Sequence, residues 1–198
     1  MPLEVEMKVI VDDDPTQVYD RLKNQSYKHI IDVREIDYYL DTPDHSLANR
    51  DEALRVRISK DANDPQGVEK VEVTYKGPKV DLISKTREEF GFNVQEKKTN
   101  EVLDVFQRLG FPEVYEISKW RSLWQHSDGT LISVDLVDQL APDCYVEAEI
   151  VTENPNDREQ LIRKLEKLLS KLLGFKGELQ SEKRSYLELA INRRQIVI

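Results

Sequence analysis

The sequence predicts an α+β fold, a mostly antiparallel sheet of about eight strands closed toward a barrel or tunnel, with helices packed outside. Three observations predict it. Apolar and polar residues alternate with period two in many short segments. Helical patterns fall between and after these segments, without strict strand–helix–strand alternation. Several of the segments carry charges at every second position, so one face of the sheet is ionised.

The elements follow in order. A first strand runs to about Val11. Asp14-Pro15 then supplies an N-cap and a proline at the first helical position, and Val18, Tyr19 and Leu22 form the apolar side of a short helix. Ile30 to Leu40 reads as a strand, stopped by the turn Asp41-Thr42-Pro43-Asp44. Glu52–Ser59 and Val68–Lys76 read as a long hairpin around a loop rich in Asp, Asn, Pro and Gly, and Gly77-Pro78 ends it. Ser84–Val94 is the next strand. Asn100–Leu109 is a helix stopped by Gly110. The strands Glu113–Gln125 and Leu131–Val137 flank the hairpin signal Ser127-Asp128-Gly129, and Cys144–Val151 follows. A long helix from near Asn156 to Gly174 carries a broad stripe of Leu161, Ile162, Leu165, Leu168, Leu169, Leu172 and Leu173, read as core. Ser185–Asn192 is a last short helix.

The chain of 198 residues is read as one domain, 1–198, with room for a substantial core. An apolar share of 39% beside a charged share of 34% fits a sheet that gives one face to ionised groups. The formal charge of −9 argues against a nucleic-acid binder, although an acidic exterior can hold a local basic cavity. The single Cys144 allows no intramolecular disulfide, which favours a reducing, cytoplasmic setting. No apolar run approaches the ~20 residues that span a bilayer, so no membrane partner is expected. A monomer or a homodimer is expected.

Glu4-Val5-Glu6-Met7-Lys8 is the most informative stretch. On a strand Glu4, Glu6 and Lys8 share a face, with successive members only about 7 Å apart. Two carboxylates that close repel unless a cation lies between them. The same grammar recurs in Arg55 and Arg57, in Lys119 and Arg121, and in Glu147 and Glu149. Lys76, Arg87, Glu89 and Asp135 add single charges. A solvated face would mix neutral polar residues with unlike charges. Like-charged pairs suggest instead a site that collects metal ions with one set and anionic oxygens with the other. Each half of the sequence offers both kinds of pair, a rough symmetry without a repeat of fixed period. Barrel-like closure would turn these rows toward a shared lumen.

These residues resemble the CYTH family, named for its adenylyl cyclase and thiamine triphosphatase members and also called triphosphate tunnel metalloenzymes. The resemblance rests on Glu4-x-Glu6-x-Lys8, Asp37-Tyr38-Tyr39-Leu40-Asp41-Thr42, Ala53-Leu54-Arg55-Val56-Arg57 and Thr74-Tyr75-Lys76-Gly77-Pro78. It continues in order through Lys85-Thr86-Arg87-Glu88-Glu89, Lys119-x-Arg121, Asp135, Glu147-x-Glu149 and Ser185-Tyr186, and so spans nearly the whole chain. It implies an eight-stranded antiparallel tunnel that binds a triphosphate and requires Mg²⁺ or Mn²⁺. Tyr-Lys-Gly-Pro and Arg-Glu-Glu look most similar to the class IV adenylyl cyclase branch. One departure is Ala141-Pro142-Asp143 after Leu140, where members often have Leu-Gly before the second acidic pair.

The expected metal ligands are Glu4, Glu6, Glu147 and Glu149, with Asp135 and Glu89 as helpers. The expected phosphate ligands are Lys8, Arg55, Arg57, Lys76, Arg87, Lys119 and Arg121, with Arg184 of the tail closing the site. The same groups suit conversion of ATP to cyclic AMP and pyrophosphate, or hydrolysis of inorganic triphosphate, thiamine triphosphate or nucleotides. A non-catalytic module binding a polyphosphate or nucleotide is the third reading. No residue is assigned as general base. His29, His45 and His126 lack metal-ligand spacing, Trp120 and Trp124 fall on the core parity, and Cys144 reads as a packed residue. No P-loop motif occurs.

Overall fold

Alternation along each strand decides which face meets the helices. The computed structural model describes residues 3–64, 66–79, 87–95, 98–175 and 179–196. Among these residues lie eight strands: β1 (Leu3–Val11), β2 (Lys28–Leu40), β3 (Ala53–Asp61), β4 (Lys70–Lys76), β5 (Glu89–Val94), β6 (Glu113–Gln125), β7 (Leu131–Val137) and β8 (Cys144–Thr152). Four α-helices accompany them: α1 (Pro15–Asn24), α2 (Thr99–Arg108), α3 (Arg158–Leu173) and α4 (Tyr186–Ile196). The strand order is β1-β8-β7-β6-β2-β3-β4-β5. The pairings β1–β8, β7–β8, β2–β3, β3–β4 and β4–β5 are all antiparallel. The fold is α+β, as expected.

Most boundaries agree with the sequence reading to within two residues. The strand expected from Ser84 begins at Glu89 in the structure, and its residues 84–86 lie outside the described residues. The last helix runs on to Ile196, four residues past its expected end at Asn192. No helix among the described residues is long and apolar enough to cross a membrane.

The chain forms two units. Among the described residues, the first comprises those within 1–31 and 121–198, and the second those within 32–79 and 87–120. In the first unit, Val5, Met7, Val9 and Val11 of β1 join Ile132 and Val134 of β7 and Val146 and Ala148 of β8 in one buried cluster. Val18 and Leu22 of α1 and Leu165, Leu169 and Leu172 of α3 close over it. Each fully buried leucine stabilises the unit by roughly 1.5–3 kcal/mol. The leucine stripe is therefore core, and Trp124, which stacks on Tyr19, is core as well. Helix α1 starts where expected, because an Asp14 carboxylate oxygen accepts from the Thr16 amide at 2.8 Å and Pro15 follows. Helix α3 ends at Gly174, whose φ of 72° suits a residue without Cβ. Helix α4 opens on a capping box. The Glu188 amide donates to Ser185 Oγ at 3.1 Å, and the Ser185 amide donates to Glu188 Oε2 at 2.6 Å.

In the second unit the core is Leu40, Val56, Val71 and Val73, covered by Val102, Leu103 and Phe106 of α2. The turn after β2 is organised by Asp41, whose carboxylate accepts from the amides of Thr42, Leu47 and Ala48 at 2.7–3.0 Å. The rough symmetry of the sequence halves is not the division of the molecule. Both acidic pairs belong to the first unit, because β1 pairs with the distant β8.

Candidate functional site

In the first unit, antiparallel register turns the two acidic pairs onto one face. Glu6 is the partner of Glu149, Lys8 of Glu147, and Glu4 of Val151. From the other side of β8, Ser133 pairs with Glu147 and Asp135 with Tyr145. Side chains of directly opposed residues lie on the same face, about 4.5–5.5 Å apart at Cβ. A row of carboxylates thus runs along β1 and β8, away from the leucine core.

The buried end of that row is tightly bonded. Arg121 forks onto Asp135, with Nε to Oδ1 at 2.8 Å and Nη2 to Oδ2 at 2.6 Å, and Nη2 also reaches Glu147 Oε2 at 2.6 Å. The Tyr186 hydroxyl donates to Asp135 Oδ2 at 2.7 Å. Burial, with Asp135 and Glu147 nearby, raises the Tyr186 hydroxyl well above its ordinary range, so it stays a donor. Lys8, 1% exposed, donates from Nζ to the Arg184 carbonyl at 2.6 Å and sits 4.0 Å from the Tyr186 ring centre. The Arg184 guanidinium turns back on Glu182, which it holds at 2.9 and 2.6 Å.

In the second unit, Arg55 and Arg57 of β3 share a face with Glu35, Asp37 and Tyr39 of β2 and with Glu72 and Thr74 of β4. Arg57 grips Asp37 with two bonds, Nε to Oδ1 at 2.5 Å and Nη2 to Oδ2 at 2.8 Å. Lys119 Nζ lies 2.9 Å from Glu35 and 3.6 Å from Asp37, and Arg55 is 3.8 Å from Asp37. Burial alone would raise the Asp37 pKa, but Arg57, Lys119 and Arg55 outweigh it and hold the carboxyl well below its usual range. Arg55, Arg57 and Lys119 converge here on Glu35 and Asp37, and Glu72 stands opposite Arg57 in the β3–β4 register. The buried Nε of Arg55 has no hydrogen-bond partner among the described residues.

The expected site residues are therefore grouped by unit. Glu4, Glu6, Lys8, Arg121, Asp135, Glu147, Glu149 and Arg184 belong to the first; Arg55, Arg57, Lys76, Arg87, Glu89 and Lys119 belong to the second. Glu89, expected beside the metal ligands, is bonded to its register partner Lys76. Arg87 lies 3.8 Å from Asp51. The sequence alone gives no role to Glu35, Asp37, Tyr145 or Tyr186. Glu35-x-Asp37 obeys the same every-second-residue rule that exposed the other pairs, and was the signal available. His29 and His45 are exposed, and His126 pairs with Asp128 at 3.0 Å. Cys144 is buried.

The CYTH domain model matches residues 2–186. A Methanocaldococcus jannaschii protein named "Putative adenylate cyclase" is 34% identical over 187 residues, covering 94% of this chain and 98% of its own. The solved structure of the PH1819 protein from Pyrococcus horikoshii superposes with a TM-score of 0.82 at 30% identity, over 96% of this chain and 99% of that one. A Hippeastrum adenylyl cyclase homologue, described as having a dominant triphosphatase activity, shares the fold with a TM-score of 0.64 at 17% identity, over 98% and 96% of the chains. With a family match across nearly its whole length and a relative above 30% identity, this chain belongs to the CYTH domain family.

Proposed function

We propose that this protein is a divalent-cation-dependent enzyme acting on a triphosphate, and that its reaction is conversion of ATP to cyclic AMP and pyrophosphate. The register that sets Glu6 against Glu149 is the observation that carries the reading. Opposed like charges destabilise a strand pair unless something positive stands between them. The donor set is entirely carboxylate oxygen, which fits Mg²⁺ or Mn²⁺ better than zinc or copper. Glu4, Glu6, Glu147 and Glu149 would hold the cation, with Asp135 in support. Among the described residues no three such groups form a cage by themselves. Such a cation normally completes its shell with water and substrate phosphate. When bound, it neutralises phosphate charge and lowers the pKa of the attacking hydroxyl.

The basic residues do the rest. A triphosphate carries about four negative charges, and phosphoryl transfer is catalysed mainly by positioning and charge neutralisation. Arg55, Arg57, Lys76, Arg87, Lys119 and Arg121 would bind its oxygens, with Arg184 near the tail. The orphaned Arg55 Nε, among the cations gathered at Asp37, supports an anion at that cluster. In the reaction the ribose 3′-oxygen bonds to the α-phosphorus and loses its proton. The bond between that phosphorus and the bridging oxygen breaks, and pyrophosphate leaves. A cytoplasmic setting, where ATP is abundant and Cys144 stays reduced, accords with this reading.

Incubation with ATP and Mg²⁺ or Mn²⁺, with products separated by chromatography, tests it. Cyclic AMP and pyrophosphate are expected; ADP and phosphate alone would overturn the cyclase reading. A triphosphatase is the second reading, supported by the fold shared with the Hippeastrum protein. Phosphate release from inorganic triphosphate or thiamine triphosphate without a cyclic product would select it.

A further inference from the structure

Three candidates stand outside the roles above. The exposed Phe90 and Phe92 of β5 form an apolar strip, but nothing in the structure says what covers it. A groove beside Arg21, Asn24, Gln25 and Lys171 has open, ordinary surface chemistry. The third is the segment Glu182–Tyr186, which lies against Lys8.

This segment is fastened to the acidic face at three points. The Glu182 amide donates to the Lys8 carbonyl at 2.6 Å, and Lys8 Nζ donates to the Arg184 carbonyl at 2.6 Å. The Lys8 ammonium also rests on the Tyr186 ring, 4.0 Å from its centre, with the Tyr145 ring 5.7 Å away. Tyr145 meets Tyr186 edge-on at 5.2 Å, so the Tyr186 ring is fixed by a cation on its face and an aromatic at its edge. Its hydroxyl is thereby aimed at Asp135 Oδ2, the same oxygen that Arg121 Nη2 contacts. That Nη2 is also the atom that holds Glu147.

We propose that Tyr186 is a positioning residue, orienting Arg121 and Glu147 through Asp135, and that Lys8 clasps the segment carrying it instead of binding phosphate. The proposal deepens the reading of Glu147 as a cation ligand and rests on it. Asp135 is 0% exposed, and such a carboxylate needs its donors arranged around it. Without the phenol hydroxyl, Arg121 is the donor left to Oδ2 among the described residues, and it can follow Asp135 away from Glu147. Outer hydrogen bonds of this kind tune the affinity of the ligands they orient. Lys8 sets its ammonium against a carbonyl and an aromatic face within a buried site, which leaves the phosphate role to the other basic residues.

Two variants separate positioning from mere folding, with thermal melts confirming that each folds. Tyr186→Phe removes one oxygen and keeps both ring contacts. Its Mn²⁺ affinity, measured by calorimetry, should fall about fivefold, and kcat about tenfold with KM within about twofold. Trypsin cleavage after Lys183 and Arg184 should stay at the wild-type rate. Lys8→Met should speed that cleavage at least about tenfold, because the clasp is lost. Its affinity for inorganic tripolyphosphate should fall no more than about threefold, and Lys8→Arg should restore protection. Wild-type Mn²⁺ affinity in Tyr186→Phe would overturn the positioning role. Loss of tripolyphosphate binding in Lys8→Met with the segment still protected would overturn the clasp. If the wild-type protein turns over no triphosphate, the proposed reaction fails, while the Mn²⁺ and trypsin measurements still decide this inference.

Discussion

Glu6 and Glu149 stand directly opposite one another in the β1–β8 register, two carboxylates on one face of neighbouring strands. The next pair along the ladder is Lys8 with Glu147, of opposite charge. Like-charged cross-strand pairs lower stability unless positive charge stands near them, and the proposed cation would supply such charge here.

Replacing either carboxylate tests that interpretation from both sides. Glu6→Ala or Glu149→Ala should lower metal-dependent turnover by at least about 100-fold, the scale at which metal ligands act. In chelator, relief of the repulsion should leave stability unchanged or raise it by about 0.5 kcal/mol. Product assays paired with thermal melts check both halves; full activity in either variant contradicts the ligand assignment.

Asp37 is the hub of the second unit's charges. Asp37→Asn leaves Arg57, Lys119 and Arg55 crowded without their common counter-charge, which should cost about 3–5 kcal/mol in urea unfolding. The acid limb gives an independent readout. Because the folded carboxyl titrates below its unfolded value of about 3.9, the unfolded chain takes up the proton first. The stability from Asp37 is complete above that value and is lost as pH falls toward the folded pKa. The variant should show a flatter loss of stability below about pH 4 than the native sequence.

Cys144 should be chemically silent in the native state. Burial, reinforced by Asp135, Asp13 and Asp14, pushes its thiol up to about 12. Since the thiolate is the reactive form, alkylation at pH 8 should be at least about 100-fold slower than for a free thiol. Rates measured before and after addition of denaturant provide the check, and rapid native labelling would contradict the burial.

Leu169 in α3 is wholly buried against β1 and β8. Leu169→Ala should destabilise the first unit by about 2–5 kcal/mol. Denaturant unfolding with an unchanged slope would attribute the loss to packing; a neutral result would contradict the core role of the leucine stripe.

Strands and helices were legible in the sequence because their signals are local. Asp14-Pro15 names the start of α1, and the period-two runs name β6 and β7 to the residue. Strand β5 was harder, since Phe90 and Phe92 are exposed and give no clean apolar face. The acidic and basic rows were legible as rows. Their distribution was not, because pairing of β1 with β8 is a long-range event that no local pattern encodes. Glu35 and Asp37 are spaced like the other pairs, but only the folded register shows that they face Arg57 and Lys119. The Lys8–Tyr186 contact joins opposite ends of the sequence through a ring and a backbone carbonyl, neither of which has a charge signature.

The pairing of β1 with β8 also has a consequence for synthesis. Leu3 meets Thr152 and Val11 meets Cys144, so the first strand leaves the ribosome long before its neighbour exists. Residues 32–79 and 87–120 are translated in that interval, and the second unit can gather its own apolar residues while β1 waits. Closing so wide a loop is slow, and until it happens Val5, Met7 and Val9 have no sheet to enter. The nascent protein should depend most on chaperones in that window, and its acidic face should be the last part of the molecule to mature.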